Sequence, residues 1–212
     1  MKLTAISFSH AGNSLQTRGL TLLDHFLHFE SIYSMQDFAI PLCYSNKPDG
    51  EVPGSVLKLD SVLLSADALV FAISEAGGHY CAAFKNIVDW LIVKHKFNSH
   101  LGHGYSLSQK PVYIVTFTPT YKDSGHRHFS MTSTLLLEKF GADVRKCHVF
   151  NQCWDHVTPQ NYPFVESFAL EVVSDLKNFA LENKSPVIVQ SNYDTQKWLQ
   201  QYEQWDQKWK TL

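Results

Sequence analysis

The sequence predicts an α/β domain whose parallel sheet is covered by helices on both faces. Short β-type runs alternate with longer helical ones along most of the chain. Two of the runs, "DALVFAI" and "KPVYIVTFT", are apolar at nearly every position, as strands in the middle of a parallel sheet must be when both faces are buried. Strands separated by helices also imply crossover connections, which join parallel rather than antiparallel neighbours.

Each element has its own signal. "KLTAISF", residues 2–8, reads as the first strand. From Leu15 to Phe29, the residues Leu15, Leu20, Leu22, Leu23, Phe26 and Leu27 give a helix one broad apolar face. "MQDFAIP", residues 35–41, is a weaker second strand, and "YSNKPDGEVPGS" is a loop dense in Pro, Gly, Asn and Asp. A short helix is expected over Ser55–Ser65, the third strand over 67–73 and a helix over Phe84–Lys96. Residues 110–118 form the fourth strand, rich in β-branched and aromatic side chains. Arg127–Phe140 reads as a helix ended by Gly141 in the C′ position. "DVRKCHVF", residues 143–150, is the fifth strand, and a helix over Phe164–Leu181 closes the domain. The pattern fits a flavodoxin-like doubly wound sheet of order 2-1-3-4-5, although periodicity does not separate that order from other doubly wound ones.

The domain is expected to span 1–185, followed by an aromatic-rich helical extension over 186–212. There Trp198, Leu199, Tyr202, Trp205 and Trp209 recur at helical spacing. Such a stripe packs on its own domain or crosses to a second subunit. A membrane-surface helix would need a polar face dominated by Lys and Arg, and this one mixes Gln, Lys, Glu and Asp.

Composition sets bounds. The 212 residues are 44% hydrophobic and 18% charged, enough for a real core. A net charge of −2 argues against a general nucleic-acid binder, which needs a basic face. No apolar run approaches membrane-span length, and the N-terminus reads as a strand rather than a signal peptide, so the cytoplasm is the expected compartment. Cys43, Cys81, Cys147 and Cys153 form no C-x-x-C pair and are expected to stay reduced.

In an open parallel sheet, ligands sit beyond the carboxyl ends of the strands. Three turns therefore matter. The first, "SFSHAGNSLQ", offers Ser7, Ser9, Asn13 and Ser14 around Gly12 at a helix start. Free N–H groups and hydroxyls there suit a phosphate, but Asn13 or Ser14 also suits a simple helix cap. The turn is neither a Walker loop nor G-x-G-x-x-G. The second is "SEAGGHYCAAFKNIVDWL", residues 74–91, and the third "TFTPTYKDSGHRHFS". His100, His103, His126 and His128 could approach a metal only across an intervening buried strand, which disfavours a zinc site.

The second turn resembles the signature of the NADPH-dependent FMN reductase family, the flavodoxin-like quinone and azo-compound reductases. There a third strand runs into P-E-Y-N-G-S-x-P-G-x-L-K-N-x-x-D-W. Glu75, Gly78, Lys85, Asn86, Asp89 and Trp90 fall at the matching positions without a gap. Ser9 and Ser14 stand at the two serines of the family's first turn, G-S-x-R-x-x-S-x-N. The chain departs from the pattern at Phe8, Ala11 and Gln16 in the first turn, at Ser74, Ala76, Gly77 and Cys81 in the second, and at Pro119 and Tyr121 where the third usually has a tight glycine loop. Lys85, Asn86, Asp89 and Trp90 lie on the helix and are expected to be structural.

The resemblance implies noncovalent FMN and transfer of electrons from NAD(P)H to a quinone-like or other small acceptor. It places the phosphate against Ser9, Asn13 and Ser14. The ring would lie against Ser74, Glu75, Ala76, Gly77, Gly78 and His79, with Thr118 and Tyr121 beside it. Glu75 is either a site residue or a brace for the turn. His79 stacks on the flavin, donates a proton to a reduced quinone, or faces water. The family forms dimers or tetramers. Two other readings remain: a domain that has lost FMN and serves as an oligomeric binding or scaffold protein, and an electron-transfer flavodoxin, which the near-neutral charge disfavours.

Overall fold

The computed structural model describes residues 1–9, 11–43, 52–98, 105–120 and 125–182. The first strand, β1 (Leu3–Ser7), leads into α1 (Leu15–Leu27) and β2 (Ser31–Ser34). Next come α2 (Gly54–Ser65), β3 (Ala68–Ala72), the two-residue strands β4 (Glu75–Ala76) and β5 (His79–Tyr80), and α3 (Ala82–Asn98). The chain continues through β6 (Pro111–Phe117), α4 (Phe129–Phe140), β7 (Asp143–Phe150), α5 (Cys153–His156) and α6 (Pro163–Glu182). The main sheet has the order β2-β1-β3-β6-β7, and every pair in it is parallel. Numbered over its five strands alone, that is the expected 2-1-3-4-5. The expected extension over 186–212, with its tryptophan stripe, lies outside the described residues.

Alternation along the central strands builds two cores. Ile6, Leu69, Phe71, Val112 and Ile114 face α2, α3 and α4, where Leu59, Leu63, Phe84, Ile87, Leu91, Leu136 and Phe140 meet them. Leu3, Ala5, Val70, Ala72, Tyr113, Val115 and Phe117 face α1 and α6, against Leu20, Leu23, Phe168 and Val172. The small residues Ala5 and Ala72 on this second face let α1 come close. Gly19 completes the fit: a Cβ there would lie 2.3 Å from the Phe117 ring.

The second strand is four residues earlier than the sequence suggests. Residues 31–34 pair with β1, and Met35–Asp37 turn into a 3-10 helix instead of extending. The reason is local. The Ser34 N–H donates to Asp37 Oδ2 at 2.6 Å, closing a capping turn that ends the strand. Met35 and Phe38, three apart, then both reach the core. The other helices and strands fall within a few residues of expectation. Gly141 ends α4 at φ 66, as its C′ role requires.

Candidate active site at the carboxyl edge of the sheet

The turns after β1, β3 and β6 leave adjacent strands at one edge of the sheet. In the first turn, Ser14 is the N-cap of α1, its side chain accepting the Thr17 N–H at 3.1 Å. The Thr17 hydroxyl donates to Ser7 Oγ at 3.0 Å, so the 3.0 Å contact between Ser14 and Thr17 hydroxyls carries the Ser14 proton. Both capacities of Ser14 are thus engaged locally. Ser9 differs: its Oγ accepts the Ala11 N–H at 3.3 Å, and its proton has no partner among the described residues. Asn13 is exposed beside it. The first-turn amides of α1 point out of the same end, as helix geometry demands.

Gln16, which the sequence offers only as a departure from a family asparagine, is buried and anchors this turn. Its Nε2 donates to the Phe117 carbonyl at 2.7 Å, and its Oε1 accepts the Phe117 N–H at 3.1 Å.

The second turn is a hairpin rather than a plain turn. β4 and β5 pair antiparallel through Glu75–Tyr80 and Ala76–His79. The two-residue loop between them has positive φ at both Gly77 (60) and Gly78 (85). This is the combination a tight primed hairpin turn needs and that glycine supplies without strain. A Cβ at Gly77 would meet nothing within 4 Å, so the tip faces open space. The hairpin base is closed by the Cys81 N–H donating to the Ser74 carbonyl at 3.0 Å. Cys81 Sγ donates to the Phe8 carbonyl at 3.1 Å, tying the hairpin to the first turn. Ala76 and His79 are exposed at the tip.

Glu75 braces the second turn against the third. Its Oε2 accepts the Gly125 N–H at 2.9 Å and the Arg127 N–H at 3.0 Å, about fifty residues along the chain. Behind it lies His128, fully buried between strand ends and α4. Thr116 Oγ1 spends its proton on the Ile73 carbonyl at 2.7 Å. His128 Nε2 therefore donates to Thr116 Oγ1 at 2.9 Å, and Nδ1 accepts from Thr132 Oγ1 at 3.0 Å. Burial pulls the His128 pKa down to about 4, with Glu75 opposing the shift, so the ring is neutral near pH 7.

The third turn faces inward at its start. Thr118 is nearly buried, with its N–H on the Phe150 carbonyl and its own carbonyl accepting from Cys153. Its Oγ1 contacts Thr120 Oγ1 at 3.0 Å. Tyr121 lies outside the described residues, as do His100 and His103.

The K-N-x-x-D-W residues are structural, as expected. Lys85 and Asp89 form an exposed pair at 2.5 Å. Asn86 Nδ2 and Trp90 Nε1 both donate to the Pro41 carbonyl, at 2.9 and 2.8 Å, and Asn86 Oδ1 accepts the Cys43 N–H. The motif fastens the connection after β2 onto α3.

The family model for NADPH-dependent FMN reductases matches residues 1–152. The chain belongs to that family. FMN is accordingly its cofactor, a reduced nicotinamide dinucleotide its electron donor, and oxidoreduction its activity.

No curated protein matches it significantly. Among solved structures, an oxidoreductase from Corynebacterium diphtheriae is 15% identical with a TM-score of 0.61, covering 87% of this chain and 99% of that one. A putative quinone reductase from Klebsiella pneumoniae is 14% identical with a TM-score of 0.56, covering 83% and 85%. General stress protein 14 of Treponema denticola in complex with FMN is 12% identical with a TM-score of 0.51, covering 84% and 99%. At these identities the likeness speaks for the fold.

The local chemistry of this FMN reductase suits the cofactor. The Ser9 hydroxyl, whose proton has no partner among the described residues, Asn13 and the α1 amides offer donors for a phosphate. The bare tip at Gly77 lets backbone approach a flat ring. The Ser14 and Thr118 hydroxyls each contact another hydroxyl nearby in the chain, Thr17 and Thr120 respectively. Among the described residues, no helix is long and apolar enough to cross a membrane.

Proposed function

We propose that this FMN reductase passes electrons from NAD(P)H to a quinone-like or other small oxidised acceptor, in the cytoplasm and as a homodimer or homotetramer. Bound FMN would supply the hydride-accepting and electron-releasing chemistry between nicotinamide and acceptor. The protein binds and orients. Ser9 and Asn13 hold the phosphate with the α1 amides, while Ser14 sets the turn. Ser74, Ala76, Gly77, Gly78 and His79 present the hairpin to the ring, Glu75 holds that hairpin in place, and Thr118 borders it.

The observation that carries the reading is the glycine hairpin itself, with two positive-φ residues and an open tip beside the donor-rich start of α1. No acid or base need be assigned, because the cofactor carries the reaction. Initial rates with NADPH or NADH against menadione test it. Alternate use of one site by donor and acceptor predicts parallel double-reciprocal lines. A protein that retains FMN yet gives no quinone-dependent oxidation of either nucleotide would contradict the acceptor class. One that takes up no FMN would favour the scaffold reading.

A further inference from the structure

We propose that Arg127 binds an anionic group on the substrate that meets the flavin, and that Glu75 is the residue positioning it. The proposal rests on the FMN-dependent reading above. The chain has three arginines. Arg18 lies over the Trp154 ring, 5.8 Å from its centroid. Arg145 pairs with Asp175 at 2.8 Å and Asp143 at 3.2 Å. Among the described residues the Arg127 guanidinium has no ion pair or hydrogen bond, and the residue is exposed. It is not loosely placed, however. Its backbone N–H is held by Glu75 Oε2 at 3.0 Å, and α4 begins two residues later.

The side chain runs along the hairpin. Its Cδ would lie 3.6 Å, and its Nη1 4.0 Å, from a Cβ at Gly78. The missing Cβ at Gly78 and the open space at Gly77 leave the stem against the turn that would face the ring. Among the described residues Glu75 forms no side-chain pair with this cation; its Oε2 accepts two backbone N–H groups instead. The neighbouring cation on α3, Lys85, is already paired with Asp89. A planar fork of donors on a stem whose backbone is held beside the hairpin suits a phosphate or sulfonate. The anion has two sources: the phosphates of the nicotinamide dinucleotide, or an acidic substituent on the acceptor.

Calorimetric titration of the FMN-loaded protein with NADP⁺, NAD⁺ and anthraquinone-2-sulfonate separates them. Arg127→Gln is expected to weaken at least one of these ligands about tenfold, with FMN content held at the wild-type level and Arg127→Lys recovering part of the loss. Loss for the nucleotides assigns the site to the donor, and loss for the sulfonate assigns it to the acceptor. Wild-type affinity for the affected ligand should also fall as salt rises. If wild type loads FMN and Arg127→Gln binds all three ligands within twofold of wild type, the proposal is overturned while the cofactor reading stands. If wild type takes up no FMN, both fall together.

Discussion

Gln16 pairs with Phe117 as a neighbouring strand would, giving one hydrogen bond to its carbonyl at 2.7 Å and taking one from its N–H at 3.1 Å. The contact spans 101 residues and joins the first turn of α1 to the last residue of β6. Two of the three ligand-side turns are thereby held at a fixed separation. Replacing Gln16 with Leu, close in volume, would strand two buried backbone groups. Each orphaned group costs about 1–3 kcal/mol, so a loss of roughly 2–6 kcal/mol is expected in urea denaturation. A change below about 0.5 kcal/mol would show that the pairing does not form in solution.

The two serines of the first turn should separate by what they affect. Ser14→Ala removes an N-cap and is expected to cost about 1 kcal/mol of stability. Ser9→Ala leaves the helix cap intact and should lower FMN affinity with little change in the denaturation midpoint. The paired readout is FMN dissociation by fluorescence titration alongside urea melts. Equal effects of both substitutions on both readouts would contradict this division of roles.

Buried His128 makes stability depend on pH in a defined window. Its folded pKa, about 4, lies below the ordinary histidine value of about 6.5. Above 6.5 the ring is neutral in both states and no stability is lost. As pH falls from 6.5 through 4, the unfolded chain takes up a proton that the folded chain refuses. Up to about 3 kcal/mol of unfolding free energy is lost across that interval. Burial shifts His95 and His148 in the same direction. Urea melts at pH 7.5, 6 and 4.5 should show a steep decline in wild type and a shallower one in His128→Gln. Identical slopes would place the linkage elsewhere.

Strand positions were legible where burial is two-sided. In β3 and β6 nearly every side chain is apolar, and hydrophobic sequence alone marks them. The edge strand β2 was misplaced because its four residues, "SIYS", are short and half polar, while the apolar Met35 and Phe38 just beyond it serve a turn. The glycine turn was visible at Gly77 and Gly78, but not its pairing into a hairpin. The brace from Glu75 to Gly125 and Arg127, the Gln16–Phe117 pairing and the Thr116–His128–Thr132 chain all join segments far apart in sequence or hidden in the core. Periodicity reports which face a residue takes. It carries no information about which backbone group a buried side chain will meet.

The visible spectrum of the purified protein, before and after excess FMN followed by removal of what is unbound, tests the central claim most directly. Bands near ~370 and ~450 nm at close to one flavin per chain are the result this account predicts. A colourless protein that retains no FMN would contradict it, and the hairpin at Gly77–Gly78 would then be a scaffold feature without its cofactor.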